Sequence, residues 1–302
     1  MTMQTLTDGA SAQPGGPLGA HMSIAGGLHM AFVHIGAVGG TALQLFTRNQ
    51  RQWRIPELSA LDAALFAEAW AQWGEYPVAA HDSYLINLAS PDPELQERSL
   101  VAFAEELRRV ETLRIPYLVT HPGSHLGQGV ETGIARYAEA LDRALERSAT
   151  SRAMVLLETT AGQGTNLGAS FEELARIMER SGHANRLGVC YDTCHTFAAG
   201  YDIRTPEAYA ATFDHFDRVI GLDRIRFFHL NDTRTGLGER KDRHEHIGQG
   251  EIGLAGFGLL MRDPRFASVS KVLETPKETD LADDVRNLAI LRGLAGGDGG
   301  RP

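Results

Sequence analysis

Ile225 to His246, IRFFHLNDTRTGLGERKDRHEH, places donor atoms where they could hold a cation. The stretch begins as a strand ending at His229, then breaks into a Gly-containing polar loop that closes on Asp242-Arg243-His244. In extended backbone, residues i and i+2 point the same way, so Asp242 and His244 could grip one ion together. Imidazole with carboxylate suits a borderline cation such as zinc.

Other predicted strands end in the same residue types. The first ends at His21, the third at His81, the fourth at His121 with His125 close behind, and the fifth at Glu158. The sixth ends at Asp192 and His195, the seventh at His229, and the eighth at Glu274. A lone strand-end histidine is ordinarily a satisfied structural residue. Seven of eight strands ending alike at one rim argue for a shared purpose, because a buried carboxylate is costly unless it is paired or metal-bound. Nine side chains stand out: His81, His121, Glu158, Asp192, His195, His229, Asp242, His244 and Glu274. Zinc takes three or four protein ligands per ion, so nine suit more than one ion, and three if a carboxylate bridges. Several metals set about 3.5–4 Å apart suit in-line displacement at phosphorus. Cys190 and Cys194 form a Cys-x₃-Cys-His run that could offer thiolate. Cys190 lies inside an apolar strand and reads as a small buried hydrophobe; Cys194 is nearer the rim and also reads as a non-ligand.

The elements that must position these residues alternate. Strands are expected at Leu18–Ser23, Ala42–Thr47, Pro77–Ser83, Tyr117–Gly123, Met154–Thr160, Leu187–His195, Ile225–Asp232 and Ser268–Pro276. Helical spacing of apolar residues marks Leu58–Trp73, Glu94–Leu113, Thr132–Glu146, Phe171–Glu179, Pro206–Ile220 and a closing helix, Thr279–Leu294. Eight strands alternating with helices predict a (β/α)₈ TIM barrel whose site sits at the C-terminal rim of the strands. A doubly wound open sheet is the alternative. Residues 1–17, rich in Gly, Pro, Ser and Thr, read as a disordered tail, 18–295 as one catalytic domain, and 296–302 as a flexible end.

The N-terminus has no basic segment followed by an apolar one, and no apolar run approaches membrane-spanning length. A cytoplasmic protein with no membrane partner is expected. The net charge of −9 argues weakly against nucleic acid, but metal ions or a local basic patch can reverse that at one site.

The motifs as they stand resemble endonuclease IV, the zinc-dependent apurinic/apyrimidinic endonuclease family. HDSYLINLA at 81–89, GVCYDTCH at 188–195 and HLNDTRTGLGERKDRH at 229–244 match its three signatures. FTRNQRQW at 46–53, HPGSHLG at 121–127, ETTAGQGTNLG at 158–168, HIGQGEIG at 246–253 and LETP at 273–276 support them. The likeness runs from about Leu18 to Leu294. The chain departs from the pattern at Thr233, where Ser or Ala is expected, at Arg234 for Lys, at Glu239 for a small residue and at Tyr191 for an aliphatic. None of these is a ligand position.

The resemblance implies three zinc ions, with partial replacement by Mn²⁺ open. His81, His121 and Glu158 would hold the first; Glu158 as a bridge, with Asp192, His229 and Glu274, the second; His195, Asp242 and His244 the third. His21 and His125 would lie behind the ligands or on the groove surface. It implies incision on the 5′ side of abasic sites in duplex DNA, by hydroxide generated at the metals with Glu158 as the central catalytic carboxylate. Removal of blocked 3′ ends and a monomeric, nucleoid-associated protein are also implied. Arg51, Tyr84 and Leu85 would wedge into the stack. Arg48, Arg234 and Arg243, with Arg51, Arg54, Arg240 and Lys241, would face phosphates. The rivals are a sugar isomerase or epimerase on a similar barrel, needing fewer ligands, and a non-catalytic damage binder, which would have lost a ligand.

Overall fold

The computed structural model describes residues 15–277 and 280–296. The strands, numbered in chain order, are β1 (Leu18–Met22), β2 (Ala42–Phe46), β3 (Val78–His81), β4 (Tyr117–Thr120), β5 (Met154–Glu158), β6 (Leu187–Asp192), β7 (Ile225–His229), β8 (Asp232–Thr233), β9 (His244–Glu245) and β10 (Ser270–Leu273). Eight of them close a parallel barrel in the order β1-β10-β7-β6-β5-β4-β3-β2. This is the expected (β/α)₈ barrel, and its closure removes the open-sheet alternative. β8 and β9 form a separate antiparallel ribbon with Thr233 opposite His244.

The helices are α1 (Met30–Ala37), α2 (Ala60–Trp73), α3 (Pro93–Thr112), α4 (Val130–Ser148), α5 (Phe171–Arg180), α6 (Thr193–Ala199), α7 (Pro206–Val219), α8 (Gly253–Arg262) and α9 (Ala282–Ala295). Short polar caps start several of them. Ser59 accepts from the Asp62 amide and Asp92 from those of Glu94 and Leu95, satisfying donors that the first turn leaves free. Pro93 and Pro206 sit in first turns, where a missing amide costs little.

Apolar spacing leaves two of these helices unmarked, and one strand ends earlier than expected. α1, MAFVHIGA, is apolar on most sides and shows no amphipathic contrast to read. α8, GLAGFGLLMR, contains three glycines and is helical because it packs, against its propensity. The expected sixth strand ran to His195, but β6 ends at Asp192, whose side chain accepts from the His195 amide at 2.8 Å and starts α6.

Inside the barrel, Ala42, Ala79, Val119, Leu156, Cys190, Phe227 and Val272 form a buried apolar plug. On β1 the corresponding residue is Gly19, where a Cβ would lie 1.7 Å from the Ala42 carbonyl oxygen; only glycine fits. Two residues further along each strand, the same face carries His21, Gln44, His81, His121, Glu158, Asp192, His229 and Glu274. The two-residue period of a strand thus converts an apolar layer into a complete polar one at the C-terminal rim.

At the opposite end, the Lys271 ammonium donates to the carbonyls of Gly15, Phe266 and Val269 at 2.7–2.9 Å. Lys271 N also donates to Pro17 O at 3.0 Å. Residues 15–17 were expected in the tail but dock onto the barrel floor. The rest of that tail, 1–14, and the C-terminal 297–302 lie outside the described residues, as does Thr279 of the expected closing helix. No helix among the described residues is long and apolar enough to cross a membrane.

Candidate functional site

Glu158, fully buried at the end of β5, lies at the centre of the rim. Its Oε2 is 3.0 Å from His81 Nε2 and 3.1 Å from His121 Nε2. Its Oε1 is 3.0 Å from His229 Nδ1 and 3.2 Å from His195 Nδ1. One carboxylate therefore joins two groups of donors. His81, His121 and Glu158 form the first; Glu158, Asp192, His229 and Glu274 form the second.

The third group depends on the ribbon. β8–β9 returns the polar loop over the rim, so that Asp242 Oδ2 lies 3.2 Å from His195 Nε2. Asp242 Oδ1 lies 3.2 Å from His244 Nε2, and the two imidazole Nε2 atoms are 3.4 Å apart. The structure thus brings together all nine side chains singled out in the sequence: the first two groups form as expected, and His195, Asp242 and His244 lie in pairwise contact. Asp192 also comes within reach of His195 and His244, and Cys194 within reach of Asp242 and His244.

The imidazoles are oriented from behind. His81 Nδ1 donates to Asp82 O at 2.8 Å, His195 Nδ1 to Thr159 O at 2.8 Å and His244 Nδ1 to Glu274 O at 2.9 Å. Each leaves Nε2 facing the carboxylates, the arrangement that prepares a histidine to ligate. Electrostatics make the same demand. Burial alone would push His81 down, yet Glu158 and Asp82 drive it up to about 9. His244 likewise reaches about 9 through Asp242 and Asp192, against its burial. Burial would raise Glu158, but His229 and His121 hold it well below the usual carboxylate range. Four buried or half-buried carboxylates require positive charge nearby, and divalent cations would supply it while leaving the imidazoles neutral. The donor set of five imidazoles and four carboxylates fits zinc.

Asp192 Oδ2 accepts from Asn231 Nδ2 at 2.7 Å, while Asn231 Oδ1 accepts from the Glu274 amide at 2.8 Å. Asn231 therefore ties two strand ends together. Asp232 is buried, and its carboxylate accepts from the amides of Gly248, Gly250, Ile252 and Gly253 at 2.9–3.3 Å. It clamps the HIGQGEIG loop beneath the ribbon. Neither residue was singled out in the sequence, although both lie in the motif that opened the reading.

A groove of about 970 Å³ runs beside the metal-type groups, lined in part by His21, Arg51, Tyr84, His244 and Glu274. Tyr84 is 60% exposed at the rim, its ring 5.5 Å from those of Phe46 and His81. Leu85 is half-buried and Arg51 is exposed. Arg54, Arg234, Arg240, Lys241 and Arg243 are exposed as expected. Arg234 pairs with Glu245 at 2.7 Å, and Glu239 pairs with Lys241 at 3.3 Å.

Arg48 departs from the expectation of a phosphate-facing cation. It is 4% exposed, and its Nε donates to Glu106 Oε1 at 2.6 Å. Glu106 also accepts from Thr47, and Arg109 from α3 donates to Thr47 O and Pro56 O. A buried ion-pair network therefore supports the loop that carries Arg51. Of the other rim residues, His21 Nδ1 lies 3.1 Å from Glu274 Oε1, and the His125 ring accepts from the Gly129 amide. Tyr191 sits in the outer core with its ring 5.2 Å from Phe213, so that departure is a packing change. Cys190 belongs to the interior plug, where burial pushes its thiol up.

A family described as xylose isomerase-like TIM barrel matches residues 34–292. Probable endonuclease 4 of Chloroflexus aggregans is 54% identical over 276 residues, covering 91% of this chain and 96% of that protein. Probable endonuclease 4 of Geobacter sulfurreducens is 53% identical over 277 residues, covering 92% and 94%. Endonuclease IV from Thermus thermophilus superposes with a TM-score of 0.83 at 37% identity, covering 93% of this chain and 99% of that one. A D-tagatose 3-epimerase-like protein superposes with a TM-score of 0.72 at 18% identity, a likeness of fold alone. With the relatives matched over nearly their whole length, the chain belongs to the endonuclease IV family of TIM-barrel hydrolases that act as endonucleases in DNA repair.

Proposed function

We propose that the protein hydrolyses the phosphodiester on the 5′ side of abasic sites in duplex DNA, using three zinc ions per chain. The observation that carries this is the sharing of the buried Glu158 carboxylate between two donor groups, with a third beside them on the groove. His81, His121 and Glu158 would hold one ion; Glu158, Asp192, His229 and Glu274 another; His195, Asp242 and His244 the third. Bound zinc supplies a water that ionises near neutral pH and positive charge for the phosphate oxygens. Water adds to phosphorus, the bond to the 3′ oxygen breaks, and the proton goes to that oxygen. The products are a 3′-hydroxyl and a 5′-deoxyribose phosphate.

The chain's own residues set the geometry. Glu158 fixes the spacing of the first two groups, and the ribbon brings Asp242 and His244 to the third. An abasic site lacks one base's stacking, so extruding it costs less than extruding an intact nucleotide. Tyr84 and Leu85, beside His81, are the apolar wedge that exploits this difference, with Arg51 across the groove. Exposed Arg234 and Arg243 would meet the backbone. Removal of blocked 3′ ends follows from the same site, since such ends are also phosphate esters of a 3′ oxygen. The protein acts as a monomer, in the cytoplasm and at the nucleoid, and Mn²⁺ can replace part of the zinc.

The test is an end-labelled duplex carrying one tetrahydrofuran abasic analogue, run beside metal analysis of the same preparation. The analogue cannot undergo β-elimination, so hydrolysis is read alone. Incision 5′ to the analogue with a 3′-hydroxyl and about three metals per chain is expected. A full metal complement without incision would overturn the reading.

A further inference from the structure

In the polar layer at the rim, β2 contributes an amide, Gln44, which no ligand group includes. Gln44 is fully buried. Its Nε2 lies 2.6 Å from Glu274 Oε1 and 2.9 Å from His21 Nδ1, and its Oε1 lies 2.8 Å from His229 Nε2. These contacts fix the amide's orientation. An ionised carboxylate can only accept, so the NH₂ end must face Glu274. The amide oxygen then faces His229, whose Nε2 must carry the proton. His229 Nδ1 is left with its lone pair toward Glu158 Oε1 at 3.0 Å, Glu274 Oε2 at 3.2 Å and Asp192 Oδ2 at 3.7 Å. Gln44 donates to Glu274 Oε1, leaving Oε2 toward the same point.

We propose that Gln44 is a positioning residue: one amide sets the metal-facing nitrogen of His229 and the metal-facing oxygen of Glu274, and thereby the zinc affinity of the second donor group. This rests on the zinc reading of that group. The contrast with the other histidines makes Gln44 distinctive. His81, His195 and His244 are oriented by backbone carbonyls, which every side-chain change leaves in place. His229 is oriented by a side chain, so the second group alone among these can be tuned by a substitution on a strand that supplies no ligand. The amide is also neutral, so it orients two ligands without adding charge to a cluster already crowded with carboxylates.

The test uses zinc-loaded full-length protein and two substitutions. Gln44→Leu keeps similar volume and removes all the amide's bonds. Gln44→Glu keeps an acceptor for His229 but replaces the donor to Glu274 with a like charge. Competition with a chromogenic chelator reads zinc affinity, and nitrogen–proton correlation on ¹⁵N-histidine protein reads the His229 Nε2 proton. In Gln44→Leu, one zinc should bind about 10–100-fold more weakly, the slowly exchanging Nε2 proton should be lost, and excess zinc should restore incision. In Gln44→Glu the Nε2 proton should persist while that zinc weakens; this variant decides if Gln44→Leu does not fold. Unchanged zinc affinity with an unchanged Nε2 signal would overturn the proposal. So would equal weakening of every zinc with a lowered melting temperature and no rescue by zinc, which marks a merely structural role. Wild-type protein that binds zinc without incising would remove the nuclease reading and leave the chelator and nitrogen measurements to decide Gln44.

Discussion

The Asp192 carboxylate caps the backbone amide of His195 at 2.8 Å, so a residue of the second donor group starts the helix that presents a residue of the third. The cap and the ligand role can be separated. Asp192→Asn keeps an oxygen for the amide and loses the charge. Asp192→Ala loses both and should cost about a further 1 kcal/mol of stability, the usual value of such a cap. Both variants should lose zinc. Thermal melts of the metal-free proteins should rank Asn above Ala; equal melting temperatures would show that the cap does not position His195.

Glu158 contacts His81, His121, His195 and His229, so its loss should be the most damaging single change at the rim. Glu158→Ala should lose more than one zinc and reduce incision at least about 1,000-fold, since each ion contributes several kcal/mol of charge stabilisation. Near-normal incision by this variant would sink the assignment.

Zinc must displace protons from imidazole before it binds. His81 and His244 are held up at about 9, against their burial, by Glu158 with Asp82 and by Asp242 with Asp192 respectively. Below about pH 9 these rings are protonated in the metal-free protein, so zinc affinity should fall as pH falls and rise towards pH 9. Calorimetry near neutral pH in two buffers of different ionisation heat should show net proton release. A release of zero would contradict the arrangement. Exhaustive chelation should abolish incision, and adding zinc back should restore it.

Tyr84 stands 60% exposed on the ring of His81. Tyr84→Ala should keep the metal complement and weaken discrimination between abasic and intact duplex by about 1–3 kcal/mol, the usual worth of an aromatic against a base. Binding measured on both duplexes gives the ratio; an unchanged ratio would remove Tyr84 from the wedge.

Arg48 and Arg51 are three residues apart and should behave oppositely. Arg51→Ala should fold normally, bind DNA more weakly and lower the salt dependence of binding by about one phosphate contact. Arg48→Ala breaks a buried pair with Glu106 and should cost about 3–5 kcal/mol of stability. If Arg48→Ala instead melts like wild type and lowers the salt slope, Arg48 faces the backbone in solution.

How much of this was legible in the chain follows from what carries each feature. The barrel and six of the nine donor positions are written in a local period; His195, Asp242 and His244 come from α6 and the ribbon. An apolar residue followed two places later by His, Asp or Glu recurs through β3–β7 and β10, as in Leu156 and Glu158 or Phe227 and His229. Strand alternation sends both to the same face, whatever the rest of the fold does. Gln44 follows the same period after Ala42, but an amide is not a metal-ligand type, so nothing in the sequence marked it. Its role exists only because β2 closes against β1 and β3 and brings Gln44 to His229, 185 residues away. Arg48 shows the reverse error. Its place in a basic rim motif suggests phosphate, yet Glu106 on α3 draws it inward. Sequence determines which face a side chain takes and what chemistry it can offer. Only the closed barrel decides which distant group it meets, because buried charges and amides must find their partners across the chain.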